Sequence, residues 1–128
     1  MTWLELLLWF KIVFTALTCS APLLLLPVEA VTRLYKVGIE AAPLCRLYGV
    51  AITALLIGYG AGIGPAAHGI FPTGVVVMGI FSNAGATATL VMTGVWARTR
   101  ALTAVFGTIA IALVAALCSQ GPFLMRAF

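Results

Sequence analysis

The sequence predicts an all-α integral membrane protein, a four-helix bundle of two antiparallel hairpins forming one transmembrane domain over residues 1–128. Three observations carry that prediction. Hydrophobic residues make up 63 % of the chain and charged ones only 8 %, too few polar side chains to coat a water-soluble fold of this size. The apolar residues gather into four runs, each near the roughly 20 residues a helix needs to cross a hydrocarbon core. Those runs are apolar on both faces, whereas a membrane barrel needs strands of about 10 residues that alternate in polarity. Helices satisfy their own backbone groups in lipid, so helices are expected.

The first span runs from about Trp3 to Leu26 and contains Glu5 and Lys11. Its acidic start does not suit a signal peptide, and Pro22 follows the small-residue stretch Cys19-Ser20-Ala21, where it should block cleavage. The span is therefore expected to be a retained anchor. Glu5 lies close enough to the interface to reach water. Six residues separate it from Lys11, which puts the two on different faces of a helix. Lys11 is expected to snorkel outward along its aliphatic stem, with an acidic group on a neighbouring subunit as its alternative partner.

Pro27 to Pro43 is the longest polar stretch. Val28, Val31, Leu34 and Tyr35 recur at helical spacing, with Glu29, Arg33, Lys36 and Glu40 between them. Glu29–Arg33 and Lys36–Glu40 are i,i+4 pairs of opposite charge, and Gly38 is the expected stop. This reads as a short interfacial amphipathic helix with its basic residues toward anionic lipid; a solvated turn is the plainer alternative.

The second span, about Leu44 to Ile63, closes on Gly58-Tyr59-Gly60-Ala61-Gly62-Ile63-Gly64-Pro65. A dinucleotide fingerprint needs its third glycine where Ile63 or Pro65 stands. A potassium filter needs a re-entrant loop after a pore helix, which the end of a full-length span is not. Gly58 with Gly62, and Gly60 with Gly64, instead form small-xxx-small pairs for helix contact, within the chain or with a partner.

The third span, about Ile70 to Trp96, has the most polar content: Ser82, Asn83, Thr87, Thr89 and Thr93. Gly85, Thr89 and Thr93 continue to Ala97 as a small-residue stripe. Asn83 falls near the bilayer midplane, where an unpaired amide is costly, so it is expected to hydrogen-bond across helices. The functional alternative is a contact to substrate or quinone. A short link, Ala97-Arg98-Thr99-Arg100, leads into the fourth span, about Ala101 to Cys118.

Basic residues set the expected sidedness. Arg33, Lys36 and Arg46 lie in or beside the first connection and Arg98 and Arg100 in the third, while Gly64 to Gly69 carries no Lys or Arg. The positive-inside rule then puts both basic loops in the cytoplasm and both termini in the periplasm of a bacterial inner membrane. Lys11 and Arg126 run against this pattern. Trp3, Trp9, Tyr59 and Phe123 are expected at the outer interface, and Tyr35, Tyr48 and Trp96 at the inner one.

Catalytic chemistry finds little material. One histidine, His68, and three acidic residues assemble no Ser-His-Asp set, carboxylate pair, haem-type histidine pair or metal site. Cys19, Cys45 and Cys118 lack CxxC spacing and read as small buried hydrophobes. No enzyme activity, no cofactor of its own and no nucleic-acid partner is expected.

Ala42-Pro43-Leu44-Cys45-Arg46-Leu47-Tyr48-Gly49-Val50-Ala51 followed by Gly58-Tyr59 resembles small bacterial four-helix proteins of the DoxX-like type, as do the Leu-rich first span ending at Leu26-Pro27 and the Pro72 to Gly94 segment. The founding family includes a subunit of a quinone-linked oxidoreductase. The resemblance implies an inner-membrane protein that partners a redox enzyme. The expected role is thus a non-catalytic accessory subunit of a larger inner-membrane complex, respiratory or photosynthetic, with lipid, quinone or pigment held at its edge. Its glycine faces would dock helices, and Arg33, Lys36, Arg98 and Arg100 would fix orientation at the headgroups. A small homo-oligomeric transporter or channel is the alternative.

Overall fold

A computed structural model describes residues Met1–Ala127, which contain helices and no strand beyond an isolated bridge between Thr2 and Arg126. Four helices are long and apolar enough to cross a membrane: α1 (Trp3–Leu25), α3 (Ile39–Ala67), α4 (Thr73–Met92) and α5 (Arg100–Cys118). Two short α-helices, α2 (Val28–Tyr35) and α6 (Gln120–Leu124), and a 3-10 turn at Val95–Ala97 accompany them.

α1 starts on a capping box. The Thr2 hydroxyl accepts the Glu5 N–H at 3.1 Å, and the Glu5 carboxylate accepts the Thr2 N–H at 3.2 Å, satisfying two amides that have no helical partner. Its buried stripe is Leu4, Leu8, Lys11 and Thr15. A π-helical turn over Ala16–Ser20 then inserts an extra residue, and the neighbours Cys19 and Ser20 are both buried. The Ser20 hydroxyl bonds that of Thr53 on α3 at 2.6 Å.

Two prolines in this region leave carbonyls without a helical donor, and side chains supply one. Pro22 has no N–H for the Thr18 carbonyl, which accepts from Tyr35 Oη at 3.4 Å. Partial burial raises the pKa of that phenol, so it stays a donor. Pro27 has no N–H for the Leu23 carbonyl. Arg46 spans the gap, donating through Nη1 to Leu23 and through Nη2 to Leu26. Arg46 thus ties the end of α1 to α3 rather than standing as a loop cation.

α2 ends at Tyr35, because Lys36 adopts the left-handed conformation (φ 54°). The expected stop at Gly38 is therefore two residues late, and Lys36 and Glu40 share no helix. Of the expected apolar face, Val31 is the anchor, 1 % exposed, while Leu34 is 56 % exposed. α3 is longer than its apolar run because the Ile39–Ala41 turn feeds it and Pro43 sits harmlessly in its first turn. α4 is shorter than its run. Pro72 precedes it, and Gly94, at φ 71°, turns the chain out after Met92.

α4 packs most closely along α5 and α1 along α3; α3 meets α4, and α1 touches α5 sparsely. Glycines admit the close approaches. A Cβ on Gly49 would come within 3.0 Å of Leu23 on α1, and one on Gly79 within 2.7 Å of Leu113 on α5. The chain ends are fastened together: Trp3 N–H donates to the Met125 carbonyl at 3.3 Å and Ala127 N–H to the Met1 carbonyl at 2.8 Å.

What faces outward is as apolar as what faces inward. Phe81 is 83 % exposed and Met92 86 %. Leaving a side chain of this kind in water forgoes about 1.5–3 kcal/mol that burial would return. Over four such helices, that surface fits a multi-pass membrane protein.

Candidate functional site

A polar cluster lies in the middle of the helices. Lys11 on the buried stripe of α1 is 5 % exposed, and Asn83 on α4 is 1 % exposed. Lys11 Nζ donates to Asn83 Oδ1 at 2.6 Å. Asn83 Nδ2 donates to the Gly79 carbonyl at 2.7 Å and to Tyr59 Oη at 3.1 Å. Tyr59 Oη also shares a hydrogen bond with Ser82 Oγ at 3.0 Å. The ammonium lies 4.5 Å from the centroid of Phe106 on α5 and 5.9 Å from that of Tyr59 on α3. All four long helices therefore contribute.

Depth makes this arrangement unusual. Asn83 is halfway along α4, and Lys11 is within about 5 Å of the midpoint of α1 at 1.5 Å per residue. The three acidic side chains of the chain are Glu5, Glu29 and Glu40. Glu5 is engaged in the capping box, and the other two are exposed around α2. The lysine is met instead by an amide oxygen and two ring faces, a cation–π pairing worth about 2 kcal/mol when desolvated. One turn along α1, Thr15 Oγ1 is the buried side-chain polar atom, among the described residues, that has no hydrogen-bond partner.

Two expectations are corrected here. Lys11 does not snorkel: it belongs to the stripe Leu4, Leu8, Lys11, Thr15 that faces the other helices, and its amine turns inward to Asn83. Tyr59 is not an interfacial anchor. It is 1 % exposed, and the missing side chain of Gly79 makes room for its ring, 3.1 Å from where a Cβ would stand.

The two glycine pairs of α3 separate. A Cβ on Gly58 would stand 3.1 Å from Met78 and one on Gly62 2.9 Å from Val75, whereas a Cβ on Gly60 or Gly64 would meet nothing within 4 Å. Gly85 is equally open. Thr89 and Thr93 are exposed, their hydroxyls turned back to the Gly85 and Thr89 carbonyls of their own helix. Arg33, Lys36, Arg98 and Arg100 are all exposed, Arg100 lying over the Trp96 ring at 5.7 Å. His68 pairs its Nδ1 with the Gly64 carbonyl at 2.8 Å. Among the described residues no group of three or more His, Cys, Asp or Glu is placed to hold a metal ion. Cys19, Cys45 and Cys118 are free thiols.

Three features were not drawn from the sequence. Thr2-Trp3-Leu4-Glu5 has the S/T-x-x-E form of a capping box, which is a readable signal. The stripe through Lys11 is readable too, since its i, i+4, i+7, i+11 spacing matches a core face. The Arg46 bridge has only an indirect signal, the orphaned carbonyl behind Pro27.

No protein-family model, curated protein or solved structure matches the chain.

Proposed function

We propose that this chain is a non-catalytic accessory subunit of a larger bacterial inner-membrane complex, acting by helix packing. The observation that carries the reading is the pair of open small-residue faces. Gly60 and Gly64 on α3, and Gly85 with Thr89 and Thr93 toward the end of α4, have the spacing of helix–helix contact sites; a Cβ on any of the three glycines would meet nothing within 4 Å, and both threonines are exposed. In lipid such faces gain from close backbone approach by another helix. The chain forms a four-helix bundle of two antiparallel hairpins, with α2 at the cytoplasmic headgroups and both termini periplasmic. Arg33, Lys36, Arg98 and Arg100 hold that orientation. Its setting, a respiratory or photosynthetic electron-transfer assembly, follows from the resemblance of Ala42 to Ala51 and Gly58-Tyr59 to DoxX-like proteins. Extraction in a gentle detergent followed by native gel and mass spectrometry tests the role. The chain is expected to migrate with unrelated membrane subunits; migration alone, or only with copies of itself, overturns it.

A second reading is favoured by the lysine cluster. An intramembrane cation without a carboxylate partner suits a site passed by anions, as in a small homo-oligomeric transporter or channel. Purified protein in liposomes would then carry small anions, and Lys11→Met would abolish the flux. No anion flux above protein-free liposomes removes this reading.

A further inference from the structure

The sparse contact between α1 and α5 leaves a furrow on the outside of the molecule. Toward the chain ends it is an open groove of about 670 Å³ against Trp3, Leu6, Phe10, Ala112 and Phe123. Farther along, a hollow of about 220 Å³ against Phe10, Val105 and Ile109 continues it, Phe10 forming a wall of both. Val105 lies about 20 Å below the Cys118 end of α5 at 1.5 Å per residue, past the midplane but well short of the far side of a core about 30 Å thick. The furrow is a slot for one leaflet's acyl chain, too short to cross both.

A basic residue stands next to its lining in sequence. Met125 lines the furrow, and Arg126 follows it, exposed and bridged through its backbone to Thr2 beside Trp3. Glu5, the acid of this end, is turned to the Thr2 N–H by its capping bond, while Arg126 is exposed. Trp3, 54 % exposed, adds the amphipathic ring that favours this depth. An apolar slot whose lining ends at Met125, one residue before an exposed arginine, is complementary to a phospholipid whose headgroup carries net negative charge.

We propose that the α1–α5 furrow binds one anionic phospholipid, an acyl chain lying along Phe10 and its phosphate at Arg126. The inference rests on the membrane reading above and not on the accessory role. It also gives Arg126, which ran against the expected sidedness, a reason to stand at the terminal end.

The test uses the full chain reconstituted in vesicles of equal phosphatidylglycerol and phosphatidylcholine, extracted mildly and weighed by native mass spectrometry. One retained phospholipid per chain is expected. Phosphatidylglycerol should be preferred by about five-fold, the factor that corresponds to ~1 kcal/mol for one arginine near an anionic surface. Arg126→Gln should bring that preference to about one-fold while keeping a lipid bound. Ala112→Trp, which fills the slot, should remove the retained lipid with helix content by circular dichroism unchanged. Equal retention of the two lipids by the parent chain overturns the proposal, as does a bound lipid that survives Ala112→Trp in a folded chain. Should Ala112→Trp fail to fold, the parent against Arg126→Gln decides alone. Failure of the chain to insert into vesicles, read by alkaline extraction, brings down the membrane reading itself.

Discussion

Gly58, Gly62 and Gly79 line the seam between α3 and α4, while Gly60, Gly64 and Gly85 stand on the same two helices facing out. At the inner three, a methyl group would press on Met78, Val75, Leu113 or Tyr59; at the outer three it would meet nothing within 4 Å. Gly79 has let the Tyr59 ring, a member of the lysine cluster, into the space it vacates, and Gly58 and Gly62 receive Met78 and Val75. The outer glycines have bought no such contact within the chain. The same residue type at the same four-residue spacing is therefore spent in two ways, on the protein's own polar interior and on whatever lies beside it. Spacing alone does not distinguish the two, because a four-residue repeat fixes a helix face without fixing what that face meets.

The largest expected effect breaks the interior. Asn83→Leu removes the oxygen that receives Lys11 Nζ at 2.6 Å and leaves a cation among Phe106, Tyr59 and aliphatic side chains. Leaving a buried group without its hydrogen-bond partner costs about 1–3 kcal/mol, and more when the group is charged. The double variant Lys11→Met with Asn83→Leu should recover most of that loss, since an apolar pair of similar volume needs no acceptor. Unfolding monitored by tryptophan fluorescence in one fixed detergent would measure both. Equal losses in the single and double variants would show that the ammonium is not held by Asn83.

How much of this was legible beforehand divides along physical lines. Hydropathy and length mark four apolar runs, because those properties are local and additive along a helix. The ends are less local. Ile70, Phe71, Val95 and Trp96 are apolar and read as part of the third span, yet Pro72 and the left-handed Gly94 place them outside α4. Conversely, Glu40 halts the hydropathy of the second span although the backbone of α3 is already turning at Ile39. In the cluster, the need of Asn83 for a partner follows from placing an amide in lipid. That the partner is Lys11, 72 residues away, is a tertiary fact, although the register of Lys11 with Leu4, Leu8 and Thr15 was open to view. The π-turn at Ala16–Ser20 leaves no pattern beyond the Pro22 that follows it.

A smaller effect tests how the interior depends on its glycine. Gly79→Ala sets a Cβ 2.7 Å from Leu113 and 3.1 Å from the Tyr59 ring. Both neighbours are side chains, so the structure yields rather than breaks, at about 1–3 kcal/mol for overpacking. Because the displaced ring carries the hydroxyl bonded to Asn83 and Ser82, Tyr59→Phe should cost less in the Gly79→Ala background than in the parent. A double-mutant cycle in the same detergent reads that coupling, and strict additivity would separate the glycine from the polar cluster.

The smallest effect on folding belongs to the outer face. Gly60→Ala, Gly64→Ala and Gly85→Ala each add a methyl group to open space in the interior of a helix, where alanine is the better helix former by about 1 kcal/mol in water. The isolated chain should lose no stability and gain some. Association is where the methyl groups should register: a helix docked on Gly60 and Gly64 is held off by any Cβ, because the attraction depends on close backbone approach. Gly60→Ile with Gly64→Ile should leave unfolding of the purified chain within about 1 kcal/mol of the parent while reducing its recovery in a co-migrating native complex. If both quantities stay unchanged, the outward glycines dock nothing, and the contrast between the two faces concerns the chain's own packing alone. Loss of stability without loss of complex would reverse their roles.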